Sequence, residues 1–148
     1  MISKILVLLG PNLNKTGERE PKIYGKEDYS KINEEIIEYG GKIGFKCTIY
    51  QSNHEGHLID KIQTSSIEFC GIILNAGALS HYSISIYDAL LNVKIPVVEV
   101  HMSNIYNRDK FRQKSVLSKA CIGQIVGFGK NVYTLGLEAL KNIIFEEN

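Results

Sequence analysis

Two short stretches of the chain carry residue types whose spacing could do chemistry. The first is Glu99-Val100-His101, which closes an apolar run that begins after Pro96. Residues two apart on a strand share a face, so this carboxylate can hydrogen-bond the imidazole. A carboxylate partner fixes an imidazole's tautomer and favours its protonated form, which is what a general acid requires. The same pair could also do no more than end a strand. The second stretch is Arg19-Glu20-Pro21-Lys22-Ile23-Tyr24-Gly25. A tyrosine set among cations on a loop either packs the loop down or acts as a base. A phenol in water titrates near ~10, and an adjacent cation shifts such an equilibrium by ~1–3 units towards the anion. Arg19, charged at any working pH, is the candidate activator.

Three other motifs have simpler readings. Gly10-Pro-Asn-Leu-Asn-Lys15-Thr16 follows an apolar run, as a phosphate-binding loop would. The Walker pattern needs a glycine immediately before its Lys-Ser/Thr pair, and Asn14 stands there instead. Gly127-Phe-Gly129-Lys130 could form an anion-binding nest, although a plain strand-to-helix turn is the favoured reading. His54-Glu55-Gly56-His57 lacks the His-Glu-x-x-His spacing that sets two imidazoles one helical turn apart. It reads as a helix start, with His54 at the cap, His57 towards solvent and Glu55 near the positive helix end.

The elements that must position these residues alternate regularly. Ile2 to Leu9 reads as a strand buried on both faces. Residues 10 to 27 show no apolar periodicity, and so long a loop in a compact domain is characteristically a lid or binding loop. Asp28 or Ser30 caps a helix carrying Ile32, Ile36 and Ile43, weakened by Gly40-Gly41. Phe45 to Gln51 is the second strand, followed by a short helix through Leu58, Ile59 and Ile62. Gly71 to Leu74 is the third strand, and Ile84 to Val93 the next helix. Val97 to His101 forms the fourth strand, with Pro96 where it removes no ladder bond. A polar stretch runs from Met102 to Lys119. Cys121 to Phe128 is the fifth strand, and Tyr133 to Phe145 the closing helix. Strand–helix alternation implies a parallel sheet covered on both faces, here a single α/β domain over residues 1–148. Ligands of such sheets bind beyond the carboxyl ends of the strands. Asn12, Asn53, Asn75, His81, His101 and Ser103 all follow strand ends.

Composition excludes other classes. Lys and Arg total 17 against 16 Asp and Glu, a net charge of +1. That balance argues against a nucleic-acid coat. With 44% hydrophobic residues the chain has the means to fold. Cys47, Cys70 and Cys121 are scattered, which fits neither a disulfide framework nor a zinc knuckle and points to a reducing compartment. No apolar run approaches the roughly 18 residues of a membrane span, and Ile5 to Leu9 is too short for a signal core. A cytoplasmic location is expected.

Taken together, Gly10-Pro-Asn-Leu-Asn, Gly17-Glu-Arg-Glu-Pro, Tyr24-Gly25, Gln51-Ser-Asn-His-Glu-Gly, Asn75-Ala-Gly-Ala and Pro96-Val-Val-Glu-Val-His-Met-Ser-Asn resemble the type II 3-dehydroquinate dehydratase family of the shikimate pathway. The resemblance covers nearly the whole chain, up to Tyr133-Thr-Leu-Gly-Leu. It implies a flavodoxin-like three-layer sandwich around a five-stranded parallel sheet, and conversion of 3-dehydroquinate to 3-dehydroshikimate without metal or organic cofactor. It also implies a homo-oligomer, a dodecamer of trimers. By the same resemblance Tyr24 is the base and Arg19 stabilises its tyrosinate. Asn12 holds the water that steadies an enolate, and His101 is the acid with Glu99 orienting its ring. Asn75, His81, Met102, Ser103 and Arg112 bind substrate, Arg108 lies near Tyr24, and Asp88 reaches the site from a neighbouring subunit. The chain departs from the family pattern at Ala76, where proline is usual, and at Tyr82 and Tyr87. A non-catalytic flavodoxin-like module that binds a phosphate or nucleotide is the alternative.

Overall fold

The computed structural model describes residues 2–146. They form a five-stranded parallel sheet in the order β2-β1-β3-β4-β5. The strands are β1 (Ser3–Leu9), β2 (Phe45–Gln51), β3 (Gly71–Asn75), β4 (Val97–His101) and β5 (Gly123–Val126). The helices are α1 (Pro21–Tyr24), α2 (Tyr29–Lys42), α3 (Glu55–Glu68), α4 (Ile84–Leu91) and α5 (Asn131–Glu146). Side chains alternate across a strand, and β1 shows the result. Ile5, Val7 and Leu9 enter one core with Ile32 and Ile36 of α2 and Leu137 and Leu140 of α5. Leu6 and Leu8 enter a second core with Leu58 and Ile62 of α3 and Ile86 and Leu90 of α4. Helices thus cover both faces, the expected flavodoxin-like arrangement.

Several boundaries differ from the sequence reading. Ile2 is 70% exposed and outside the first strand. β5 is shorter than Cys121 to Phe128, because Ser118–Ala120 forms a 3-10 turn before it and Gly127 turns away with φ +93° after it. α3 runs a full 14 residues. Its buried stripe continues from Leu58 and Ile62 to Ser65 in the polar second half, where Ser65 Oγ donates to the Ile62 carbonyl at 2.7 Å. The closing helix starts at Asn131, two residues before Tyr133. The 10–27 loop contains a 3-10 turn, Leu13–Lys15, as well as α1. Asp28, not Ser30, caps α2, accepting from the Lys31 amide at 2.9 Å. Gly40 is no defect in that helix: a Cβ there would lie 2.4 Å from Cys47 Sγ, so the glycine lets α2 approach β2.

Sheet order creates the site. β1 lies between β2 and β3, and connections leave it in opposite directions, which opens a crevice at the carboxyl edge. Gly10 sits at this point with its amide on the Asn75 carbonyl at 2.8 Å. A Cβ on Gly10 would lie 2.3 Å from the Ala76 carbonyl oxygen, so only glycine allows the two turns to meet. Ala76, where proline is usual in the family, has a φ of −80° that proline also adopts, and it is fully buried.

Candidate active site

A cleft of about 110 Å³ lies at the carboxyl edge of the sheet, lined by Asn12, Arg19, Tyr24, Asn75, His81, His101, Met102, Ser103, Arg108 and Arg112, with Pro11, Leu13, Gly77, Ala78 and Ile105. Residues far apart in sequence meet there because each follows a strand end or sits on the loop above. Of the candidates, Glu99 stands behind His101 rather than in the cleft. Asp88 lies elsewhere, exposed on α4 in a groove with Ile59, Gln63 and Asn92. Within one chain the structure does not bring Asp88 to the other candidates.

His101 and Glu99 make the expected same-face pair: His101 Nε2 donates to Glu99 Oε2 at 2.6 Å. Both side chains are buried, and Nδ1 is the ring nitrogen left for the cleft. Burial pushes the Glu99 carboxyl up, but the bond and charge of His101 and the hydroxyls of Ser115 and Ser118 outweigh it, so the carboxyl titrates below its usual range. The His81 ring stacks 6.2 Å from that of His101, and its Nδ1 meets the Lys114 carbonyl at 2.8 Å. Burial lowers the His81 pKa; the Lys114 carbonyl opposes this, and His101, Arg112 and Arg108 add to the fall.

Tyr24 ends α1, a single turn with Pro21 at its start and Glu20 before it in the left-handed region, φ 39°. This half-buried tyrosine has two guanidinium neighbours. Arg108 Nη1 donates to the phenol oxygen at 2.8 Å, while Arg19 lies over the ring face, 4.8 Å from its centroid. The sequence reading made Arg19 the activator of the hydroxyl; in the structure Arg108 holds the oxygen and Arg19 the face. Arg108 also approaches Ser103 Oγ at 3.4 Å and Glu20 Oε2 at 3.8 Å. Arg112 pairs with Asp109 at 3.5 Å at the rim.

Asn75 is buried with both ends of its amide engaged: Nδ2 donates to Tyr133 Oη at 3.0 Å, and Oδ1 accepts from the Gly77 amide at 3.2 Å. Burial pushes the Tyr133 phenol up to about 12, so it stays a neutral partner. Asn12 has φ 70°, and its amide donates to Asn53 Oδ1 at 2.9 Å. Gln51 Nε2 ties the Gly10 carbonyl to the same Asn53 oxygen. Of these supporting residues, Asn53 was legible at the binding edge of the sheet. Gln51, at the end of its strand, could have been suspected, whereas Ser115, Ser118 and Tyr133 carried no local signal.

The simpler motifs resolve as turns. The Gly127 and Gly129 amides donate to the carbonyls of His101 and Met102, so they are not aimed at an anion. His54 precedes α3 without a side-chain capping bond, and exposed His57 meets Ser52 Oγ at 3.3 Å. Among the described residues no three His, Cys, Asp or Glu side chains cluster as metal ligands, and no helix is long and apolar enough to cross a membrane.

Comparison with known proteins agrees over almost the full chain. Residues 3–141 match the family described as dehydroquinase class II. The 3-dehydroquinate dehydratase of Clostridium perfringens is 51% identical over 142 residues, 95% of this chain and 99% of that protein. That of Clostridium acetobutylicum is 49% identical over 141 residues, 95% and 98% of the two chains. The crystal structure of type II dehydroquinase from Butyrivibrio crossotus superposes with a TM-score of 0.92 at 46% identity, covering 94% of this chain and 97% of that one.

Proposed function

The chain belongs to the class II dehydroquinase family, and we propose which of its residues carry the reaction that follows from this membership. That reaction is the dehydration of 3-dehydroquinate to 3-dehydroshikimate, a hydro-lyase step of the shikimate pathway. The observation that best supports the division of labour is the guanidinium N–H of Arg108 aimed at Tyr24 Oη across a cleft from His101.

A donor at 2.8 Å stabilises negative charge on the phenol oxygen. As tyrosinate, Tyr24 takes the proton from the carbon beside the ketone, and the electron pair moves onto the carbonyl oxygen as an enolate. Asn12, at the cleft wall, holds the water that donates to that enolate. The enolate then reforms the ketone, the new carbon–carbon double bond forms, and the carbon–oxygen bond to the hydroxyl breaks. His101 Nδ1 supplies the proton with which this hydroxyl leaves as water, while Nε2–H stays on Glu99. Arg112 takes the substrate carboxylate, which a planar guanidinium fork suits. Asn75, His81, Met102 and Ser103 complete the binding surface.

No step calls on a metal or organic cofactor. Purified protein given 3-dehydroquinate should develop the ultraviolet absorbance of the conjugated product, and should do so equally after exhaustive chelation. Absence of turnover would sink the catalytic reading; loss on chelation restored by zinc would sink the cofactor-free one.

Arg19→Lys is not conservative in this arrangement. Lysine keeps the charge but loses the planar group that lies over the Tyr24 ring, and such contacts are worth ~0.5–2 kcal/mol. We expect kcat to fall roughly tenfold with KM little changed, because the charge stabilised exists in the transition state. A rise in KM alone would make Arg19 a substrate-binding residue.

A homo-oligomer of trimers, assembled as a dodecamer, accounts for Asp88. α4 and the turn before it expose Tyr82, Ile84 and Leu91 at 65%, 59% and 57%, apolar surface suited to a subunit contact. In a cyclic trimer each site takes Tyr24 from one subunit and Asp88 from the next. Tyr24→Phe and Asp88→Asn should each be nearly inactive and should regain about one quarter of native activity when co-refolded in equal amounts, from a half-by-half chance of an intact pair. No recovery, with mixed trimers verified by mass spectrometry, would show that Asp88 serves its own chain or none.

A further inference from the structure

Glu99 has more partners than its role beside His101 demands. Besides His101 Nε2, its Oε2 accepts from Ser115 Oγ at 2.6 Å, and its Oε1 accepts from Ser118 Oγ at 2.8 Å. Both serines come from the segment between Arg112 and β5, and neither lines the cleft. The donors continue outward: Gln124 Nε2 donates to Ser118 Oγ at 3.2 Å, and exposed Tyr106 donates through its hydroxyl to Gln124 Oε1 at 2.8 Å. Every bond in this row points inward, from the surface to one fully buried carboxylate.

We propose that Ser115 and Ser118 are positioning residues for proton donation by His101, acting through Glu99 as the two hydroxyls that hold its carboxylate in one orientation. This rests on the reading of His101 as the acid. Three donors on two carboxylate oxygens leave a carboxyl proton with no acceptor to face, so the arrangement suits the ionised form alone. Hydroxyl donors also spread the carboxylate's charge and make it a weaker base. The proton it shares therefore stays on His101 Nε2, and the Nδ1 proton is the one given to the leaving hydroxyl. Without the serines the same carboxylate would be free to rotate and would hold the imidazolium more tightly, making it a poorer acid.

The neighbouring charges do not supply this effect by themselves. Arg19, Arg108 and Arg112 share the cleft with His101 and keep their charge throughout. On the other side, burial pushes the Cys121 thiol up to about 12, with the Glu99 charge adding to the rise, so it stays neutral. His81, Tyr24 and Glu99 are the remaining titratable neighbours. Of these, Glu99 alone bonds the serine hydroxyls, so removing one acts on His101 through it.

Ser118→Ala is the cleanest test, because Ser115 Oγ also accepts from the Leu117 amide and shapes the local turn. The expected result is a kcat lower by roughly tenfold, the effect of one hydrogen bond to a charged group, with KM within about twofold. The limb of the kcat–pH profile that reports loss of the imidazolium should move about half a unit to higher pH. Ser118→Thr, which keeps the hydroxyl, should restore both, and Ser115→Ala/Ser118→Ala should lose more than Ser118→Ala. His101→Asn in the same assay is the reference. If it is inactive while Ser118→Ala has native kcat, or loses kcat with an unmoved limb, the positioning claim alone is overturned. If His101→Asn keeps its activity, the acid assignment falls and takes this proposal with it.

Discussion

Tyr24→Phe should lower kcat by roughly 10²–10⁴-fold, the range carried by a positioned general base, while KM stays within a few-fold. The ring keeps the packing that Arg19 makes over its face. What disappears is the oxygen that accepts from Arg108. Arg108 does not become an isolated charge, because Glu20 and Ser103 remain beside it, and the segment is partly exposed. Thermal stability should therefore change by less than about 0.5 kcal/mol. A steady-state assay with a melting curve separates the alternatives. A variant retaining more than about a tenth of native turnover would fall outside the range expected of the base. Equal loss of activity and folding would make Tyr24 a packing residue.

Glu99→Gln should be nearly as damaging and should also affect the fold. The carboxylate accepts from His101, Ser115 and Ser118. A carboxamide replaces one accepting oxygen by an NH₂ that faces donors, leaving buried polar groups unpaired at about 1–3 kcal/mol. With the imidazole no longer held in its tautomer, kcat should fall by roughly 10²–10⁴-fold. The pH dependence has a definite sign. Glu99 titrates below its ordinary 4.5 in the folded protein. Its contribution to stability is present in full above the unfolded value and is lost as pH falls through the folded one. The melting temperatures of native and variant protein should therefore differ most near neutral pH and converge as pH is taken below 4.5. A constant gap down to strong acid would mean that the carboxylate is not the origin of the difference.

The sequence made the sheet legible because apolar runs such as Ile5 to Leu9 and Gly71 to Leu74 are bounded by Gly, Pro and Asn, and strand ends then located the polar residues. Glu99 and His101 could be paired from strand periodicity alone. The pairing of Tyr24 with Arg108 could not, since 84 residues of chain separate them and only tertiary folding returns the Met102–Lys119 stretch to the lid. The same distance problem hid Ser115 and Ser118, two hydroxyls in a polar stretch with no period. Ser65 shows the converse: a serine that reads as surface is buried because its hydroxyl is satisfied within its own helix.

Arg108 donates to the phenol of Tyr24 and pairs with the side chain of Glu20, a non-glycine residue in the left-handed region at the start of the same turn. On the proposed assignment, the group that readies the base is thus also the one that ties this segment down. On that assignment the site is armed only while the segment is down. Were this segment to lift for substrate or product, the phenol would leave the guanidinium that donates to it, and an open site would have little power to strip protons from other ketones that drift in. Selectivity would then be partly a matter of timing, because a molecule that cannot hold the segment down would be gone before the base forms.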